Sequence, residues 1–179
     1  MSGKEEEEVA SLQLEDLRPL GTLGVGGFGC VRLVMASSGK SYALKCLSKR
    51  HVAVTGQQEH VAAERDVLLA ARSPFIVRLL RTFRDDANVY LLLEACLGGE
   101  VWALLRDHER LLDKEARFVA ACVLEALDYL HSRDIVYRDL KPENLVMDAN
   151  GYVKLVSGGG SALIFSQGHK HEYQLVQFT

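Results

Sequence analysis

The segment Tyr137-Arg138-Asp139-Leu140-Lys141-Pro142-Glu143-Asn144 places an acid, an amine and an amide within one short stretch. A carboxylate such as Asp139 accepts a proton from a hydroxyl. An ammonium such as Lys141 neutralises a phosphate, and the amide oxygen of Asn144 ligates a hard divalent cation. Together the three could orient a hydroxyl nucleophile, screen a phosphoryl group in transfer and hold its counter-ion.

Two further signals lie upstream. Gly24-Val25-Gly26-Gly27-Phe28-Gly29-Cys30-Val31 has the spacing G-x-G-x-x-G-x-V. Glycines at that spacing let backbone amides approach phosphate oxygens. The loop leads into a β-type run, CVRLVMA, rather than a helix, which disfavours the dinucleotide-binding reading of the same spacing. A plain glycine-rich hairpin is the bland alternative. The second signal is Tyr42-Ala43-Leu44-Lys45. A Lys among apolar residues is costly unless paired. Alternation puts Ala43 and Lys45 on one face of a strand. Glu64, between Val61 and Leu68 on the apolar face of the next helix, is the natural partner; the alternative is a Lys45 that snorkels to water.

These groups need elements to hold them. Residues 1–14, with four consecutive Glu, read as a solvated acidic tail. β-type runs follow at 17–24, 30–36 and 41–47, with SSGK as a hairpin turn. Residues 57–71 are expected to be helical, with Val61, Glu64, Val67, Leu68 and Ala71 on one face, and Ser73-Pro74 ends the helix. Strands are expected at 76–83 and 88–96, helices at 100–108 and 114–131, and short strands at 144–148 and 152–156. The helix at 114–131 is apolar over most of its girth and must be covered on several sides. From Ser157 onward the character changes: SGGGS is linker-like and HKHEYQLVQFT has only a weak strand hint. The expected fold class is α+β in two lobes: a five-stranded antiparallel lobe with one helix (15–96), a mainly helical lobe carrying the catalytic-type loop (97–156), and a divergent tail (157–179).

Composition narrows the function classes. The chain has 179 residues, 48% apolar and 25% charged, with a net charge of −3. That balance gives no basic footprint for nucleic acid, and no apolar run is long enough for a membrane span. Cys30, Cys46, Cys96 and Cys122 are scattered without CxxC spacing, as expected of reduced structural thiols in the cytosol. His169 and His171 form an H-x-H with no other evident ligand nearby, the pattern of solvated tail residues. Trp102 is expected to serve packing.

The strings LGTLGVGGFGCVRLV, SYALKCLSKRHV, SPFIVRLLRTFRD, ACLGGEVW and DIVYRDLKPENLVMD, in that order, resemble a protein kinase domain from about Leu14 to Val156. The stretch looks most like the cGMP-dependent kinases of the AGC group. The resemblance implies ATP and Mg²⁺ as cofactors and a protein Ser/Thr hydroxyl as substrate. It implies that the backbone of Gly24, Gly26 and Gly29 covers the phosphates, and that Lys45, held by Glu64, contacts the α and β phosphates. Val31, Ala43 and Val146 would sandwich the adenine, with Leu93 as gatekeeper. The backbone of Glu94 and Cys96 would read the purine edge, and Glu100 would approach the ribose. Asp139 would position the hydroxyl, Lys141 would meet the γ-phosphate, and Asn144 would bind metal. The cGMP-binding domains of that family precede its kinase domain and have no counterpart in this chain, so control by cGMP is not carried over.

The pattern breaks after YVKLV. Where the family has D-F-G, this chain reads Ser157-Gly158-Gly159. A Ser hydroxyl is a poor substitute for the carboxylate that anchors Mg²⁺. The missing Phe would leave a gap beside Tyr137, Leu68 and Leu79. The family's later helices are also missing, so about five apolar side chains of the 114–131 helix are expected to be exposed unless Leu163, Ile164 and Phe165 cover part of them. Three readings follow: an ATP-cleft kinase domain with impaired phosphoryl transfer, a non-catalytic nucleotide-binding or regulatory module, and an unstable truncated product.

Overall fold

The computed structural model describes residues 3–27, 29–157 and 163–165, with residues 4, 5 and 163–165 as backbone. Five strands build the first layer: β1 (Arg18–Gly26), β2 (Gly29–Met35), β3 (Ser41–Ser48), β4 (Leu79–Arg84) and β5 (Asn88–Glu94). They form one antiparallel sheet in the order β1-β2-β3-β5-β4. Strand alternation divides their side chains between two cores. The outer face collects Val34, Tyr42, Leu44 and Leu92. The inner face, with Leu47, Leu79 and Leu91, joins the larger cluster shared with the second lobe.

Two helices lie in the β3–β4 connection. The short α2 (Lys49–Val54) is capped by Ser48, whose hydroxyl accepts the His51 N–H at 3.3 Å. The longer α3 (Gln58–Ala70) buries Glu64, Val67 and Leu68 against the sheet. The face expected from three- and four-residue spacing is the one that packs. The other helix of this connection, α2, is too short for periodicity to reveal.

The amino end corrects the expectation of a solvated tail over 1–14. Gly3–Ser11 forms helix α1, and Val9 and Leu12 are buried with Leu17 in the outer-face core. The Glu run hides this, because only two apolar residues need to reach the sheet. Acidic residues on the same helix find cationic and hydroxyl partners: Glu6 pairs with Arg78 at 3.6 Å and Glu8 accepts from the Ser38 hydroxyl. The Arg81 guanidinium donates to the Val9 carbonyl at 3.0 Å.

Beyond the sheet come the two-residue β6 (Gly99–Glu100), α4 (Val101–His108), α5 (Asp113–His131), β7 (Ile135–Tyr137), β8 (Leu145–Met147), β9 (Val153–Leu155) and β10 (Leu163–Phe165). The Leu112 N–H at the start of α5 is satisfied by the Glu115 carboxylate at 2.9 Å. Cys122, Ala126 and Leu130 of α5 are buried, and Val119, Val123 and Leu127 pack partly against the same cluster. Phe118 and Leu124 are exposed. Ala116, Ala120 and Ala121 of the same helix are exposed as well, which matches the five apolar side chains expected, while β7 and β9 cover its other flank. Gly98 lies where a Cβ would fall 2.4 Å from the Asp148 carbonyl, so the chain can leave β5 against β8 only as glycine. No described helix is long and apolar enough to cross a membrane.

Candidate functional site

A cavity of about 340 Å³ opens between the sheet and the segment carrying β8 and β9. That volume lies within the range of small-ligand sites, roughly 300–1,000 Å³. Its roof is the β1–β2 hairpin, with Gly24, Gly26 and Gly29 on the wall. Gly29 has φ +153° and sits where a Cβ would fall 1.9 Å from the Cys46 carbonyl, so this end of the loop lies directly on β3 and admits no side chain. Leu23 and Val31 add apolar surface above, and Ala43, Leu93 and Val146 line the remaining walls. Glu94, Cys96 and Glu100 border the cavity where β5 hands over to α4. Burial pushes the Cys96 thiol up to about 12, with Glu94 adding to the rise.

Lys45 enters from β3 and is almost fully buried. Its ammonium meets Glu64 Oε1 at 2.6 Å, and it also donates to the Ser157 carbonyl at 3.4 Å. Glu64 stands behind Lys45, outside the cavity wall, at the centre of the buried face of α3. The pair expected from sequence is therefore formed, and it fixes the ammonium at the inner end of the cavity.

The floor comes from the loop after β7. A single 3-10 turn, Pro142–Asn144, turns the chain so that Asn144 points inward and is buried. Its amide nitrogen donates to the Asp139 carbonyl at 2.7 Å and to Asp139 Oδ2 at 2.8 Å. With both amide protons engaged, Oδ1 is the end available to a cation. Lys141 pairs with Asp139 Oδ1 at 2.9 Å. Asp139 and Lys141 lie one hydrogen bond beyond Asn144, at the solvent side. Tyr137 donates its hydroxyl proton to the Val156 carbonyl at 2.8 Å, tying this loop to the strand leading to Ser157.

Ser157 borders the cavity beside Asn144, where a second cation ligand would be placed. The residues fit a nucleotide better than they fit a dication. Asn144 offers one amide oxygen, position 157 offers no carboxylate, and among the described residues no three His, Cys, Asp or Glu side chains converge as a metal-holding group. Gly158, Gly159, His169 and His171 lie outside the described residues. Tyr137, Leu68 and Leu79 are buried in one cluster.

Sequence reasoning missed several contributors. Glu94 was expected to act through its backbone alone. Its carboxylate accepts the Arg78 N–H at 2.9 Å and two bonds from Lys154 at 2.9 and 2.8 Å, clamping the end of β5 to β4 and β9. Alternation on β9 places Lys154 between buried Val153 and Leu155, which was the available signal. Leu23, Val77 and Val156 also line the cavity, and no spacing rule marks them.

A fold of this kind, a glycine loop over a buried Lys–Glu pair with Asp and Asn on a turn opposite, belongs to phosphoryl-transfer proteins. The chain belongs to the protein kinase domain family, whose model matches residues 17–177. It is similar to cGMP-dependent protein kinase, isozyme 1, of Drosophila melanogaster: 54% identical over 157 residues, 86% of this chain and 20% of that protein. It is also 54% identical over 155 residues to cGMP-dependent protein kinase egl-4 of Caenorhabditis briggsae, covering 86% of this chain and 21% of the relative. Identity to human cGMP-dependent protein kinase 2 is 52% over 151 residues, 84% of this chain and 20% of that protein. The chain spans about a fifth of the length of these curated relatives.

Proposed function

We propose that the cavity binds ATP, with the triphosphate between the glycine loop and Lys45, and that phosphoryl transfer to a protein Ser/Thr hydroxyl is strongly impaired. The observation that carries the nucleotide reading is the buried 2.6 Å Lys45–Glu64 pair at the end of a glycine-roofed cavity. An ammonium held there by one carboxylate has a remaining use for anionic oxygens. The turn carrying Asp139 and Asn144 supports the reaction class: Asp139 can orient the hydroxyl and accept its proton, and Asn144 can offer an oxygen to Mg²⁺. When bound, that ion supplies charge neutralisation between the terminal phosphates.

Ser157 is the specific observation favouring nucleotide binding over turnover. A neutral hydroxyl in place of a carboxylate weakens the hold on a hard cation. Losing a few kcal/mol of transition-state stabilisation costs a factor of about ten for each 1.4 kcal/mol. The scattered reduced thiols are consistent with a cytosolic setting.

Thermal-shift titration with ATP, with and without Mg²⁺, tests both parts. The expected result is stabilisation by ATP that Mg²⁺ improves only slightly, with AMP much weaker. Equal shifts from AMP and ATP, or none from either, would remove the phosphate-reading role of Lys45. Rapid turnover of a basic Ser/Thr peptide, abolished by Asp139→Ala, would refute the impairment.

A further inference from the structure

Two thiols outside the nucleotide reading lie side by side. Cys30 on β2 and Cys46 on β3 are direct partners in the antiparallel register. Val31 and Lys45, the next partners, face the cavity, so alternation sends Cys30 and Cys46 to the opposite, outer face. Cys46 packs there against the outer core with Tyr90. Both thiols are reduced and half-exposed. Directly opposed residues in such a ladder have Cα atoms about 4.5–5.5 Å apart. A disulfide spans roughly 4.4–6.8 Å between Cα atoms.

We propose that Cys30 and Cys46 form an oxidisable dithiol that closes into an intrachain cross-strand disulfide when a hydroperoxide is present. Cys30 reacts first. It lies one residue inside β2, next to the β1–β2 turn, and the exposed Arg32 follows two residues later on the same face of the strand. Cys46 is the slower thiol: burial, followed by the neighbouring Cys30, pushes it up to about 11. The Cys30 sulfur attacks one peroxide oxygen, the O–O bond breaks, and the departing hydroxide takes the Cys30 proton to leave as water. The Cys46 sulfur then attacks the resulting sulfenic acid, the S–O bond breaks, and a second water leaves with the Cys46 proton. The two sulfurs lose two electrons and the peroxide gains them. The product ties β2 to β3 one residue from Gly29 and one residue from Lys45, pinning the hinge of the glycine loop. Both residues also border the cavity, but strand alternation carries their side chains to the outer face, so the dithiol does not depend on what the cavity binds.

The full chain is treated with stoichiometric hydrogen peroxide, the remaining thiols are alkylated, and intact mass and unreduced peptide maps are recorded. The expected result is a loss of two hydrogens per chain, with Cys30 and Cys46 in one cross-linked peptide and Cys96 and Cys122 alkylated. Cys30→Ser should leave Cys46 largely unoxidised. Cys46→Ser should leave Cys30 as a sulfenic acid that a dimedone-type probe captures. In urea the selectivity for this pair should disappear. Cross-links to Cys96 or Cys122, or between chains, or pairing that is equally selective in urea, would overturn the proposal. So would over-oxidation of either thiol without a cross-link.

Discussion

Removing the Lys45 ammonium leaves the Glu64 carboxylate buried without its counter-ion. Lys45→Met is therefore expected to destabilise the chain by about 3–5 kcal/mol, while the double change Lys45→Met with Glu64→Leu recovers most of that loss. Urea melts of the three variants measure it, and the same Lys45→Met chain should show no ATP-dependent shift. Ser157→Asp works in the other direction. It supplies the carboxylate beside Asn144 and is expected to make ATP stabilisation Mg²⁺-dependent and to raise peptide phosphorylation at least about tenfold. An unchanged rate would show that something other than the cation ligand limits transfer. Cys96 gives a pH test. Its thiol is held up to about 12 against an ordinary value of 9.0 by burial. Its folded value lies above its unfolded one, so its contribution to stability is complete below pH 9 and is lost as pH rises from there towards 12. At pH 8–9, alkylation of native Cys96, followed by mass spectrometry, should be slower than in urea. At this scale most of the site was legible: glycine spacing, a Lys in an apolar run and the Asp-Asn turn each carry their own chemistry. The Glu94–Lys154 clamp was not, because its partners are 60 residues apart and each alone looks like an ordinary surface charge.

At the scale of elements, α1 is the clearest case where composition misleads. Four Glu in a row argue for solvation, yet Val9 and Leu12 lie under 10% exposed against the sheet. Leu12→Ala should cost about 2–5 kcal/mol by chemical denaturation, against less than about 0.5 kcal/mol for a polar change at exposed Leu124. Long helices and hairpins were legible to within a few residues because their periods repeat: α3, α5 and the pairs β2–β3 and β4–β5 follow the apolar spacing. The three-residue strands β7 and β10 were not: unlike the equally short β8 and β9, they do not flank a common turn, and their pairing joins positions 26 to 30 residues apart.

At the scale of the whole molecule, the inner core passes through both lobes without a break. Leu68 and Leu79 from the first share it with Leu130, Tyr137 and Leu155 from the second. Unfolding should then be one transition. The single Trp102, on α4 in the second lobe, reports that region by fluorescence, while circular dichroism reports the whole chain. Their melting curves should coincide, and separated midpoints would show that the lobes melt independently. The two-lobe α+β architecture itself followed from element order.

The pairing of β10 with β7, Leu163 with Tyr137 through Phe165 with Ile135, has a consequence for how the chain behaves among its own copies. A short strand with unpaired amides and carbonyls is a template on which another molecule can lay a strand of its own. Here the chain fills that template with its own backbone. Among the described residues β10 has β7 as its one strand partner, so the open edge passes from β7 to a segment of three residues, and any strand-on-strand association at this end would have to begin there.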